Sequence, residues 1–391
     1  MQQQALKVWS PETQVSSDPT SAVAMIVPSI RMLDRDAWDA CFPREIETYD
    51  YLLAVEEAGI DGFEWRYAIM REGDKIVAAM PAFLCRYALE TTLEAGRFRR
   101  TVEGIRRIFS GFLTLRLACL GSPCTETASI GFHPDIAQAR RPKLFAELLD
   151  AFEAHARMEG CSLTALKDLP HPIPSGLEPV LAARGYAEIG GLPTACLDIG
   201  FDTIDAYFAV LSSATRKDMR RKLRSRQEVR IEYRKDFDDL LPRVMQLYRE
   251  TRERSGLQFE ELTPAYFDGV LKGMPGRSFC AMYFVGDELL AANLLIHDKD
   301  RLIDKFFCMD GQKGRSHNLY YLSWCSNLEY CLTHGIGRYQ SGQAYYRNKV
   351  RLGSRLTANA MYFRHSNPLL QFALKMMSPL FAADDGGEVT A

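Results

Sequence analysis

The chain has 391 residues, 47% of them apolar and 11% aromatic, with 48 Lys and Arg against 50 Asp and Glu. At roughly 100–200 residues per domain this length gives two or three domains with a sizeable core. The composition excludes disordered, collagen-like and Pro-rich chains, and a net charge of -2 excludes a protein that coats nucleic acid over its whole surface, though not a local basic site.

Ten cysteines are scattered through the chain without a CxxC pair. That pattern reads as free thiols in a reducing compartment, with neither a disulfide framework nor a metal site. Residues 1–24 lack the basic start and apolar core of a secretory signal and read as a flexible lead. No window reaches the ~20 apolar residues that span a bilayer. A cytoplasmic protein is expected.

A first unit, 25–200, opens with a short apolar strand at Met25 and continues with helical spacing of apolar residues over Asp34–Ala58. A hairpin follows, with strands Trp65–Met70 and Lys75–Tyr87 around Glu72-Gly73-Asp74. Residues 88–112 are basic and aromatic and read as a connection. Leu115–Leu120 reads as a strand, Pro142–Gly160 as a helix, 162–169 as a strand and 177–185 as a helix, which gives a mixed α/β unit.

The second unit, 201–367, begins with Phe201–Leu211 and a basic helix, Ala214–Arg226. Helices Asp239–Ser255 and Pro264–Met274 precede three strands, Arg277–Val285, Glu288–His297 and Arg301–Met309, joined by turns at Gly286-Asp287 and Asp298-Lys299-Asp300. A long helix, Asn318–Thr333, ends at His334-Gly335, and Ala358–Phe363 closes as a final strand. Residues 368–391 read as an amphipathic helix and tail. The two units share an outline of hairpin, connection, strand, helix and strand.

Residues 214–236 hold ten Arg or Lys against four Asp or Glu. Arg216, Arg220 and Arg224 recur every four residues and so share one helix face, while Met219 and Leu223 form a narrow apolar stripe. Guanidinium groups at that spacing suit phosphate or carboxylate; the alternative is a solvated charged helix. Within the helix no aromatic residues interleave to stack bases.

Asp310–His317 joins the third strand of the second unit to the long helix and contains Gly311 and Gly314. A glycine-containing loop entering a helix is either a phosphate cradle or a surface turn. Its GQKGRS run is neither GxxxxGK(S/T) nor a dinucleotide fingerprint. His317 is a candidate general base, because imidazole titrates near neutrality, and Asp304 on the third strand is a candidate to orient a nucleophile or take its proton. Further on, Ser341-Gly342 leads into Tyr345, Tyr346, Arg347 and Lys349, followed by Leu352-Gly353-Ser354. Tyrosines can supply hydrogen bonds and a flat wall, and Lys349 can neutralise a carboxylate or phosphate, as a substrate or cofactor mouth needs; aromatic packing around turns is the alternative.

Three stretches carry a family resemblance. LSSATRKDMRRKLR, with Leu211, Thr215, Arg216 and Arg220 to Lys222, resembles the opening of the second domain in GNAT-like proteins related to the Fem peptidoglycan peptidyltransferases. The series Gly342, Tyr346, Lys349 and Gly353 resembles their late pattern, and REGDKIVAAMPAFL resembles their early hairpin. Over roughly residues 30–365 this implies two tandem GNAT-like α/β domains, each a mixed, mostly antiparallel sheet flanked by helices, the second holding the main donor-binding features.

The resemblance also implies an acyltransferase, moving an acyl or aminoacyl group from a thioester such as acyl-CoA or acetyl-CoA to a small-molecule amine. A charged tRNA or a carrier-bound donor is the alternative, as is a non-catalytic binding protein on the same fold. Residues 310–316 depart from the pyrophosphate signature Q/R-x-x-G-x-G/A, and no coiled-coil arm interrupts the second unit, which favours a small donor over tRNA. The expected chemical group is His317, Asp304, Tyr345 and Tyr346. Arg216, Arg220, Arg224, Lys349, Gly311 and Gly314 are expected to hold the donor.

Overall fold

In a computed structural model, which describes residues 22–88, 114–255 and 259–381, the chain builds two sheets. In chain order the strands are β1 (Val23–Val27), β2 (Phe63–Glu72), β3 (Lys75–Ala88), β4 (Thr114–Leu120), β5 (Gly131–Phe132), β6 (Leu163–Pro170), β7 (Ala187–Gly190) and β8 (Thr194–Asp198). They continue with β9 (Val229–Arg234), β10 (Ser278–Val285), β11 (Glu288–His297), β12 (Arg301–Met309), β13 (Arg338–Gln340), β14 (Arg355–Thr357) and β15 (Asn359–His365).

The first sheet runs β1-β2-β3-β4-β6-β15-β7, with β5 beside β3, and the second runs β14-β8-β13-β12-β11-β10-β9. Each is antiparallel except at one pair, β4 with β6 in the first and β12 with β13 in the second. Two mixed, mostly antiparallel sheets flanked by helices are therefore present, as expected. The readings of 1–24 and 88–112 fall, apart from their edges, outside the described residues.

Two strands change sides. β8 follows β7 of the first sheet but pairs with β13 and β14 of the second. β15 follows β14 of the second sheet but pairs with β6 and β7 of the first. The final strand thus forms where apolar alternation puts it, yet in the opposite sheet. Alternation sets which face of a strand is buried and says nothing about its neighbour.

A further difference lies at 34–58, where one helix was expected and two form, Arg35–Asp39 and Tyr49–Glu57. Pro43 falls between them, lacks an N–H, and disfavours helix in the residue before it. The intervening stretch carries Glu45 and Glu47 towards β12.

The helix Arg141–Met158 covers one face of the first sheet with Leu144, Phe145, Leu148, Leu149 and Phe152. Leu319–His334 covers one face of the second with Leu319, Leu322, Trp324 and Leu328. Between the sheets lies a shared core fed by both halves, including Trp38, Tyr51, Tyr67, Tyr248, Phe267, Met282 and Ile303. There Tyr49–Glu57 crosses the helix Pro264–Gly273 closely, because Gly269 and Gly273 both face Ala54. No helix among the described residues is long and apolar enough to cross a membrane.

Candidate functional site

The second sheet opens at its centre. β12 pairs with β13 only through Arg301, Ile303 and the residue between them, then runs on to Met309 with that edge unpaired among the described residues. Asp304 is the first residue past this fork. Its Oδ2 accepts hydrogen bonds from the Tyr339 hydroxyl at 2.9 Å and from Asn293 Nδ2 at 3.2 Å. Burial pushes the Asp304 carboxyl up to about 6, against the opposing pull of the Lys349 charge and those two hydrogen bonds.

Lys349 reaches the same place from the short helix Tyr346–Arg351. Its side chain is buried and its Nζ donates to the Ser341 carbonyl. Burial brings the ammonium down to about 8, although the charges of Glu126 and Asp304 both favour it. Between Ser341 and Lys349 the backbone passes through Gly342 at φ +92. A Cβ there would lie 3.0 Å from Glu126 Oε1 and 3.4 Å from Lys349 Nζ, so only glycine leaves both groups in place.

Glu126 belongs to the first half, on a buried loop between β4 and β5. Its Oε2 accepts a hydrogen bond from Gln340 Nε2, at the end of β13, at 2.8 Å. Burial raises its carboxyl, and the charges of Lys305 and Lys349 and the bond from Gln340 oppose that rise. Side chains from elsewhere pin three successive carbonyls of this loop. Cys124 O accepts from Tyr51 Oη at 2.6 Å and Lys305 Nζ at 2.9 Å. Thr125 O accepts from Lys167 Nζ at 3.1 Å. Glu126 O accepts from Gln343 Nε2 at 2.8 Å and Asn359 Nδ2 at 3.2 Å.

Ion pairs across the halves surround this cluster. Glu45 meets Arg301 at 3.1 Å, and Glu47 meets Lys305, whose side chain is only 4% exposed.

The residues named from sequence are not all brought together. Asp304 and Lys349 share the cluster. Tyr345, in the left-handed region at φ 56, stands at the rim, its ring centroid 6.2 Å from that of Tyr320, while Tyr346 is buried as the first residue of the Lys349 helix. His317 is held elsewhere, with Nδ1 at 2.9 Å from Lys313 O and Nε2 at 3.5 Å from Glu228. Neither partner belongs to the Asp304 cluster.

In the loop 310–316, Asp310 Oδ1 takes the N–H groups of Gln312 at 2.9 Å and Lys313 at 2.7 Å. Arg254 packs on Gly311, and the Met309 side chain on Gly314. Those two N–H groups are thus taken by the Asp310 carboxylate.

The basic helix, Ser213–Lys222, is partly neutralised at its own surface. Asp218 pairs with Arg221 at 2.8 Å, Lys222 at 3.1 Å and Arg351 at 2.7 Å. Against the upward push of burial, these bonds hold the Asp218 carboxyl far below the usual range. Arg216 donates to Ala209 O at 3.4 Å, and Arg220 lies 3.7 Å from Asp205. Arg220 and Arg224 are exposed.

Glu126, Asn293, Gln340, Tyr339 and Tyr320 join the site unannounced. Asn293 left one trace, a single amide inside the apolar run LLAANLLI, and it is fully buried. The buried Tyr320 hydroxyl and Asn293 Oδ1 have no hydrogen-bond partner among the described residues. No group of three or more His, Cys, Asp or Glu among those residues is placed to hold a metal ion.

Residues 213–349 match the family described as Acetyltransferase (GNAT) domain, a span that includes Asp304 and Lys349 but not Glu126. No curated protein sequence matches the chain. Among solved structures, FemX superposes with a TM-score of 0.57 at 12% identity, over 90% of this chain and 100% of its own. A tandem GNAT protein from the clavulanic acid biosynthesis pathway gives 0.52 at 12% identity, over 89% of this chain and 99% of its own. At that identity the likeness is one of fold. The chain thus has the GNAT acetyltransferase fold, in an arrangement related to that of the Fem-type tandem GNAT proteins.

Proposed function

We propose that this protein is an N-acyltransferase that moves an acyl group from a thioester donor of the acyl-CoA type to a small amine. Proteins of this fold superfamily generally transfer acyl groups from CoA-type donors. The observation that carries the finer reading is Asp304, a half-buried carboxylate at the fork where β12 leaves β13.

Charge and hydrogen bonding around Asp304 favour an amine. With Glu45 matched to Arg301 and Glu47 to Lys305, the remaining groups are Asp304 and Glu126 against Lys349. One negative charge is in excess, and Asn293 Oδ1 is an unfilled acceptor. A protonated amine supplies both the positive charge and the donors.

With a carboxyl near 6, Asp304 is ionised at neutral pH and takes one proton from the bound ammonium, which frees the lone pair that attacks the acyl carbon; the second proton that the nitrogen sheds goes to the thiolate that leaves. The Tyr320 hydroxyl, kept protonated chiefly by burial, is a free donor for the oxygen that gains charge at the acyl carbon. The open backbone edge of β12 past Ile303 offers N–H and C=O groups to an extended donor chain. Because Asp310 takes the N–H groups of Gln312 and Lys313 in the loop 310–316, the exposed Arg220 and Arg224 are the cations offered to the anionic end.

The test is thiol release from acetyl-CoA and a long-chain acyl-CoA in the presence of a panel of primary amines. Wild-type protein is expected to release thiol in an amine-dependent manner, and Asp304→Asn to lose about 100-fold or more of that rate. Absence of release with every donor, from folded protein, overturns the reading. A charged tRNA would then be the next donor, with the exposed basic helix as its contact and steep salt dependence as its mark.

A further inference from the structure

The first half contributes no sequence to the matched acetyltransferase domain, yet one of its carboxylates lies inside the candidate site. We infer that Glu126 is a positioning residue of the transfer site, through which the first half holds Gln340 and Lys349 in place and sets the proton on Asp304. This rests on the reading of Asp304 as the base.

Three observations support it. The Glu126 carboxylate takes the Gln340 amide at 2.8 Å and so ties the loop to the end of β13, beside the fork. Its other oxygen and Lys349 Nζ both face the space above Gly342, which a single Cβ would fill. The loop itself is fixed from three directions, by Tyr51 and Lys305 at Cys124 O, by Lys167 at Thr125 O, and by Gln343 and Asn359 at Glu126 O. A carboxylate anchored at both its side chain and its backbone has little freedom to move away from the ammonium it faces.

The charges bearing on these groups come from both halves. Glu126 faces Lys305, Lys349 and Glu47. Asp304 faces Lys349 and Glu126, beside the Tyr339 and Tyr320 hydroxyls. Lys349 faces Glu126, Asp304 and the Cys196 thiol. Glu126 therefore acts on Asp304 in two ways of opposite sign. Its own charge makes ionisation of Asp304 harder, whereas by favouring the Lys349 ammonium it makes that ionisation easier; near pH 6 Lys349 is already protonated, so the direct effect decides the sign.

The experiment reads Asp304 directly and needs no substrate. Full-length protein is labelled with 13C at the aspartate carboxyl, and the Asp304 signal is assigned by its loss in Asp304→Asn. Its midpoint is then followed from pH 4 to pH 9 in wild type, Glu126→Gln and Glu126→Asp. The wild-type midpoint is expected near about 6. Glu126→Gln is expected to lower it by about half a unit or more, and Glu126→Asp, which draws the charge back by one methylene, by less.

An unchanged midpoint in folded Glu126→Gln overturns the inference. Should that variant fail to fold, an unchanged midpoint in Glu126→Asp does the same. A structural role alone would lower stability and leave the Asp304 midpoint where it was. A null here leaves the acyl-transfer reading standing, whereas absence of thiol release removes that reading without touching the midpoint.

Discussion

Asp304 accepts two hydrogen bonds, lies opposite an ammonium, and is still pushed up from its ordinary 3.8 to about 6, so burial outweighs its partners. Between those two values the folded form binds more protons than the unfolded form. Stability from this group therefore falls as pH rises from about 4 to about 6, and stays lost above. Asp304→Asn is accordingly expected to be more stable than wild type at pH 8, by on the order of 3 kcal/mol, with the gain vanishing near pH 4. Urea unfolding at the two pH values measures it, and a variant less stable than wild type at pH 8 would contradict it. The same substitution is the one expected to cost transfer about 100-fold or more, and a gain in stability paired with that loss would mark a group kept for chemistry rather than stability.

At the scale of elements, the segment from β13 to the Lys349 helix works as a bracket. Gln340 points to Glu126, Gly342 clears the space between Glu126 and Lys349, and Tyr207 Oη holds the far end by donating to Leu352 O at 2.8 Å. Gly342→Ala places a side chain in the left-handed region and against Glu126. It is expected to destabilise by about 1–3 kcal/mol. Gly337→Ala, at an exposed position where a Cβ meets nothing within 4 Å, should stay within about 0.5 kcal/mol. Equal losses in the two variants, measured by denaturant midpoints, would show that the clearance at Gly342 does not matter. The basic helix behaves differently from its sequence, because Asp218 collects Arg221 and Lys222, with Arg351 from outside the helix, and leaves fewer cations free for a ligand than the ten in 214–236 suggest.

For the whole molecule the two crossing strands decide the mechanics. β8 and β15 each carry the chain from one sheet to the other, and Asn359 locks the crossings together. Its Nδ2 reaches Leu192 O at 2.9 Å, Thr194 Oγ1 at 2.9 Å and Glu126 O at 3.2 Å. Each sheet thus contains a strand reached through the other, and the core between them is drawn from both. The two halves are expected to unfold in a single transition, with calorimetric and van't Hoff enthalpies in agreement. Two resolved transitions would show that they are separable. Asn359→Ala should lower stability by about 1–3 kcal/mol through the buried acceptors it leaves unpaired, as read from the shift in that transition.

The sequence by itself determined the elements and the outline of the architecture. Period-2 and helical spacing placed β2, β3, β6, β10, β11 and β12 and the long helix Leu319–His334 close to where they lie, because a strand or helix must present its own apolar face whatever it packs on. The run around Gly342 and Lys349 was legible for a similar reason. Positive φ at a glycine and a cation among aromatic residues are local demands that leave local marks.

Tertiary structure alone decided which strand entered which sheet and which acids met which bases. Glu126 sits in a small-residue loop nearly 180 residues before Asp304, and nothing in its neighbourhood signals a partner on β13. His317 looked suitable as an isolated imidazole, yet backbone geometry turned it to Lys313 O and Glu228. Side-chain type states what a group can do. Burial and the charges brought to it by distant parts of the chain decide its proton affinity and its reach, and these exist only once the chain has folded.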